Sequence, residues 1–262
     1  MALDIDRYHS VDSVVNRWDP RTKIAALGIL IFSIALVKTL PMALVGFAVA
    51  VLLIRLTALP WHFIFHGLSF VLIFLVPFFF IMPLSYPGES AFEILGLGFA
   101  WEGLRLATLI FIKAISIVLV TYAIFGSSRF DISMLALQHL RCPKVVVQML
   151  LFTYRYTFVF LDEMRRMHTS MQARGFIARA NMKTMTILGH FVGTLLIRSF
   201  ERTDRVFKAM LSKGYQGELH SMVEFHSHGI DYAKAVVVVV FSLALVVGDF
   251  SGQWPQAVQG WY

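Results

Sequence analysis

The stretch from Asp19 to Leu40 reads DPRTKIAALGILIFSIALVKTL. Asp19 has the short acceptor side chain of a helix N-cap, and Pro20 stands where the first helical residue needs no N–H. Two basic residues follow, Arg21 and Lys23, and then an apolar run from Ile24 to Leu40. That run nears the ~20 residues a helix needs to cross a bilayer. A capped start, a basic collar and a long apolar body together predict a membrane helix.

Working outward, the pattern repeats. Pro41 breaks the chain, and a second run covers Met42–Leu56. A third covers Phe63–Leu84, with Pro77 and Pro83 expected as kink and stop. The stretch Ser85–Gly103 holds four glycines, one proline and three acids, and reads as an aqueous loop. A fourth run covers Leu104–Phe125, and a fifth Ala235–Gly248, with five consecutive valines from Val236 to Val240. The composition agrees: 58% of the 262 residues are hydrophobic, only 15% are charged, and the mean hydropathy is +0.71. The expected class is therefore an all-α polytopic membrane protein with about five transmembrane helices. Met1-Ala2-Leu3-Asp4-Ile5-Asp6 carries acids and no basic n-region, so no cleavable signal peptide is expected. Cys142 is the one cysteine, which excludes an intrachain disulfide.

The basic residues set the orientation. With five spans and the N-terminus inside, the inner segments hold Arg7, Arg17, Arg21, Lys23, Arg55, Lys234 and fourteen more between Ser127 and Tyr232. Lys38 and Arg105 sit at span edges, and Lys113 falls within the fourth run. Cytoplasmic loops carry such an excess, so the N-terminus is expected in the cytoplasm. The net charge of +7 is thereby assigned to the membrane's inner face, and nucleic acid is not an expected partner. Trp18, Trp61, Trp101, Trp254 and Trp261 all lie outside the apolar runs, where indole meets headgroups.

Between Ser127 and Tyr232 the pattern changes. Val145–Leu161 is apolar, but Arg155 stands near its middle, and a cation at mid-bilayer costs roughly 3 kcal/mol. Beyond it Leu161, Met164, His168 and Met171 share one helical face, with Arg165, Thr169 and Gln172 on another. Further on, Leu196, Phe200, Thr203, Phe207 and Met210 share a face, while Glu201/Arg205 and Asp204/Lys208 stand at i,i+4. These are expected to be long amphipathic helices at or below the inner surface. A seven-span alternative would place 145–161 and 185–200 in the bilayer, against the charges of Arg155 and Arg198. The expected division is 1–126 for the first four membrane helices, 127–232 for the amphipathic region and 233–262 for the last membrane helix.

Each amphipathic segment ends in a small residue, a cation and a glycine: Ala173-Arg174-Gly175 and Ser212-Lys213-Gly214. Glycine after a helix end admits the left-handed conformation, and a cation in the last turn meets the negative end of the helix dipole. One such motif is an ordinary helix stop. Two on one side of a membrane fit a partner with two equivalent sockets, such as a nucleotide-hydrolysing dimer.

The chain resembles the transmembrane T component of energy-coupling factor transporters, in its CbiQ-type cobalt/nickel branch. The resemblance covers nearly the whole chain. It rests on Val15 to Lys23, on Tyr154-Arg155-Tyr156 with Glu163-Met164-Arg165-Arg166-Met167, on Ala173-Arg174-Gly175-Phe176 and on Ser212-Lys213-Gly214-Tyr215. It implies that the two motifs end cytoplasmic coupling helices and dock in grooves of two ATPase subunits. Arg174 and Lys213 would be the docking cations. The second motif has Lys213 where arginine is usual, which keeps the charge and loses the bidentate fork. Met164, Met167, Met171, Phe200, Phe207 and Met210 would pack on each other and present an adaptable surface to a substrate-binding membrane subunit. The resemblance also implies a bacterial inner-membrane location, cobalt or nickel as cargo selected by that other subunit, and ATP bound by the ATPases, with no cofactor in this chain.

Other chemistry finds little support. His62 and His66 share a helix face, and His226 and His228 lie near His220 and Glu224, but spacing fixes no third ligand. No phosphate-loop motif, nucleophile elbow or H-E-x-x-H pair occurs. A stand-alone metal channel or carrier using those histidines is the alternative function, and a membrane enzyme a more distant third.

Overall fold

The computed structural model describes residues 13, 15–85, 90–94, 97–217 and 228–259. The acidic N-terminal hexapeptide lies outside them. Among the described residues the chain forms α1 (Pro20–Leu36), α2 (Leu40–Thr57), α3 (Trp61–Ser85), β1 (Ser90–Ile94), β2 (Leu97–Ala100), α4 (Trp101–Phe125), α5 (Phe130–His139), α6 (Lys144–Ala173), α7 (Met182–Ser212) and α8 (Gly229–Gln259). It divides into two compact units, one of Arg141–Glu224 and one built mainly of Ile5–Leu140 with Phe225–Tyr262. The first holds α6 and α7; the second is a helical bundle.

The bundle is organised around α1. Asp19 caps it, its Oδ1 accepting from the Arg21 N–H at 2.9 Å. Ala26, Leu27, Leu30 and Ile34 of α1 are fully buried, in one cluster with Ala50 and Ile54 of α2, Leu119, Val120 and Ala123 of α4, and Leu245 of α8. At 17 residues α1 spans only about 26 Å; one face is buried in the bundle, while Ile29, Phe32 and Leu36 stay exposed on the other. α3 packs on α4 through edge-to-face pairs of Phe63 with Tyr122 and of Phe79 with Phe111. α5 packs on α1 and buries Met134 and Ala136. The expected amphipathic region from 127 to 232 is therefore narrowed: α5 belongs to the bundle, because its apolar face has α1 to bury against.

Buried polar clamps close both ends of α1. At its N-terminal end the fully buried Lys23 donates from Nζ to Ser127 Oγ at 2.9 Å and to Ser128 Oγ, just beyond α4. Trp18 donates from Nε1 to the Asp231 carbonyl at the start of α8, at 3.1 Å. Trp18 was expected at the headgroups; it is instead buried, because its N–H has this partner inside the bundle. At the other end Lys113 of α4 donates from Nζ to the carbonyls of Ala35 and Val37, at 2.5 and 2.7 Å. These lie at the α1 C-terminus, where carbonyls lack helical partners and a cation is favoured. Asp249 of α8 accepts from the Lys38 and Thr39 N–H groups and from Thr39 Oγ1, with contacts of 2.7–3.1 Å. The α1–α2 turn is thus held by one half-buried cation and one buried anion.

Among the described residues, five helices are long and apolar enough to cross a membrane: Leu40–Thr57, His62–Leu84, Gly103–Phe125, Lys144–Ala173 and Gly229–Ser251. The number matches the expectation, but the set differs. α1, with 17 residues, is shorter than any of the five. Lys144–Ala173 enters with a mean hydropathy of 1.3 against 2.2–2.5 for the others, its apolar first half offsetting Arg155. Two boundaries also move. α3 continues through Pro83 to Ser85, so Pro83 does not stop it. The supposed loop Ser85–Gly103 holds an antiparallel hairpin, with Phe92 opposite Phe99 and Ile94 opposite Leu97. Its aromatic and β-branched residues favour pairing even among glycines.

The clamp at the α1–α2 turn makes a stability prediction. Asp249→Ala is expected to cost the bundle about 2 kcal/mol, because part-buried donors lose their acceptor and Lys113 its facing charge. The pair Lys113→Ala and Asp249→Ala is expected to cost less than the sum of the singles. Unfolding by SDS titration in mixed micelles checks both.

Candidate functional site

The unit of α6 and α7 is an antiparallel helical hairpin. Near its middle Arg198 of α7 is hydrogen-bonded through Nη1 to Glu163 Oε1 of α6. Near one end the Tyr215 hydroxyl donates to Gln148 Oε1 at 3.1 Å. α7 starts on an Asn181 cap whose Oδ1 accepts from the Thr184 N–H at 2.8 Å. Asp204 and Lys208 make the expected i,i+4 ion pair at 2.6 Å, whereas Glu201 and Arg205 stand 4.0 Å apart.

Both helices end in the same way. At the end of α6, Gly175 takes φ +81°; its N–H donates to the Gln172 carbonyl at 2.9 Å, and the Phe176 N–H to the Met171 carbonyl at 3.1 Å. At the end of α7, Gly214 takes φ +84°; its N–H donates to the Leu211 carbonyl and the Tyr215 N–H to the Met210 carbonyl, both at 3.0 Å. These crossed bonds define the Schellman stop, which satisfies two of the last carbonyls and aligns an apolar residue after the glycine with one before it. Open space surrounds both glycines, so the left-handed backbone and not crowding requires them.

Arg174 and Lys213 are the C-cap residues of these helices, and both are exposed. Ala173, Gly175, Ser212 and Gly214 are exposed with them. Because the helices are antiparallel, the two cations lie at opposite ends of the hairpin. Tyr215 sits beside Gln148, so the ends are about 40 Å apart at the ~1.5 Å rise per residue. Each cation stands where its own helix dipole is negative.

The Met and Phe set divides differently from expectation. Phe207 and Met210 line an apolar cavity of about 450 Å3 with Phe152, Tyr156 and Phe160 of α6. Met164, Met167 and Met171 lie beyond the Glu163–Arg198 crossing, toward the other end. The chain reversal between the helices carries the two groups apart, so they do not form one mutual patch. Phe200 is 77% exposed, with Leu196 and Ile197 exposed beside it. Within its unit α7 has no fully buried residue. Arg155 is exposed, and the tyrosines beside it pack on other rings, Tyr154 on Phe158 and Tyr156 on Phe152 and Phe160. The contacts Glu163–Arg198 and Gln148–Tyr215 were not singled out in the sequence; partners 35 and 67 positions apart leave no periodic signal.

Among the described residues no group of three His, Cys, Asp or Glu side chains converges as a metal site. His62 and His66 stand on α3, while His220, Glu224 and His226 lie outside the described residues.

A multi-pass bundle with an attached pair of long amphipathic helices, each ending in an exposed cation, defines a membrane subunit of a larger assembly. Residues 12–224 match the family model CbiQ, cobalt transport protein, and the chain belongs to that family. It is similar to the energy-coupling factor transporter transmembrane protein EcfT of Heliobacterium modesticaldum, with 28% identity over 251 residues, 90% of this chain and 93% of the relative. It is 27% identical over 227 residues to the protein of the same name from Streptococcus equi subsp. equi, covering 82% and 84%. A putative fused cobalt transport protein CbiMQ of Methanocorpusculum labreanum is 24% identical over 173 residues, 64% of this chain and 28% of that longer protein.

The paired glycines make the second prediction. Gly175→Ala and Gly214→Ala each force a side chain into the left-handed region, at a cost of roughly 1–2 kcal/mol. Hydrogen exchange at the Phe176 and Tyr215 amides, respectively, is expected to accelerate about tenfold, with the helix middles unchanged.

Proposed function

We propose that this chain is the scaffold and energy-coupling membrane subunit of an ATP-driven importer for cobalt or nickel ions. The bundle is the base that holds a substrate-binding membrane subunit, and α6 and α7 are the coupling helices. Arg174 and Lys213, with Ala173, Gly175, Ser212 and Gly214 around them, dock on the two copies of an ATPase dimer. ATP is bound and hydrolysed by that dimer, and this chain is non-catalytic. The N-terminus and the hairpin lie on the cytoplasmic side of a bacterial inner membrane, consistent with the clustering of basic residues there.

The observation that carries this reading is the matched pair of helix stops. The same crossed hydrogen bonds, the same glycine conformation and the same exposed C-cap cation occur twice, at opposite ends of one hairpin. A single helix stop needs no partner to explain it. Two copies about 40 Å apart fit a target with repeated acidic sockets across a twofold axis. The exposed Leu196, Ile197 and Phe200 supply an apolar face for the substrate-binding subunit or for lipid.

Reversing both cations tests the docking. Arg174→Glu with Lys213→Glu is expected to release the ATPase on purification while the bundle keeps its thermal stability. Each single substitution is expected to be milder, since two linked contacts gain by avidity. Arg174→Glu is expected to be the more damaging, because guanidinium makes the forked contact that ammonium lacks. Full ATPase recovery with the double variant would exclude the docking role.

A further inference from the structure

The coupling hairpin holds itself together sparingly. α7 buries no residue fully within its unit, and many of its large apolar side chains lie exposed. Two side-chain hydrogen bonds link α6 to α7 and to the turn after it. Gln148–Tyr215 lies at the Lys213 end. Glu163–Arg198 lies near the middle of both helices, roughly 16 Å along α6 from Arg174 and roughly 22 Å along α7 from Lys213 by helical rise.

The central pair differs from the other ion pairs of the hairpin. Asp204–Lys208, Glu201–Arg205 and Asp162–Arg165 each join neighbours on one helix. Glu163 and Arg198 join two helices across 35 positions. The Glu163 side chain is only 19% exposed, against 45–64% for the acids of the other three. Arg202, Glu201 and Arg205 line the same cleft. A carboxylate held between two helices and faced by arginines one turn apart fixes crossing point and register together. An exposed ion pair contributes little stability, typically up to ~1 kcal/mol, so the value of this one lies in geometry.

We infer that the Glu163–Arg198 pair is the pivot of the coupling hairpin, a positioning contact that makes displacement at the Arg174 end and at the Lys213 end a single movement. This rests on the docking reading for its role in coupling. Without the pivot, each helix follows the ATPase it touches, and the exposed face around Phe200 no longer moves as one body. With it, the hairpin acts as a rigid lever whose two arms carry the two docking cations.

The test uses the full chain with Cys142→Ser, spin-labelled at Thr169→Cys and Lys208→Cys, in nanodiscs and in the complex with its ATPase. The parent is expected to show a narrow distance distribution that shifts on adding ATP. Glu163→Gln and Arg198→Ala are expected to keep ATPase association and the melting midpoint, to broaden the distribution and to lose the ATP-dependent shift. The charge exchange Glu163→Arg with Arg198→Glu is expected to restore both. A single variant as narrow and as responsive as the parent, or an exchange as broad as the singles, overturns the pivot. Failure of the parent to bind ATPase overturns the docking reading instead, and the distribution widths in nanodiscs still decide whether the pair sets the hairpin geometry.

Discussion

A helix that ends inside a membrane protein leaves backbone groups that lipid cannot satisfy. The bundle solves this at α1, its most buried helix. Lys113 takes the carbonyls where α1 stops, and Asp249 takes the amides where α2 begins. At the opposite end Asp19 caps the helix, and Lys23 reaches the serines that follow α4. Each of these charges is spent on a helix terminus or a hydroxyl. They tie α1, α2, α4 and α8 into one body, and the apolar layer of Leu27, Leu30, Val120 and Leu245 fills the space between.

The hairpin follows the opposite rule. It has stops, caps and a central ion pair, but little buried surface of its own. An element so exposed offers surface to partners, and the two proposed docking cations stand at its tips. That contrast suits a static base and a moving coupler within one chain, in the family to which it belongs.

Much of this was legible in the sequence. Run length and the Asp19-Pro20 start gave the bundle helices, because local signals specify them. The two small-cation-glycine motifs foretold the helix stops, because a left-handed residue after a helix is a local demand. Three things were not legible. Lys113 looked misplaced because its partners are backbone carbonyls, which no residue type reveals. Trp18 looked interfacial because its acceptor belongs to Asp231, over two hundred positions away. The Met and Phe residues looked like one patch because helical faces were read separately, and only the antiparallel reversal shows that they lie at different ends. The status of α6 shows the limit of average hydropathy, which admits Lys144–Ala173 as a span although Arg155 stands exposed within it.

The central claim is that one chain engages two ATPase copies through two equivalent helix ends. Photo-crosslinking groups placed at Arg174 and at Lys213 of the same chain, in the purified complex, address it most directly. The account predicts a product joining one copy of this chain to two ATPase subunits, one at each position, with matching peptides from the two. A crosslink from only one position, or from both into the same ATPase subunit, would contradict it.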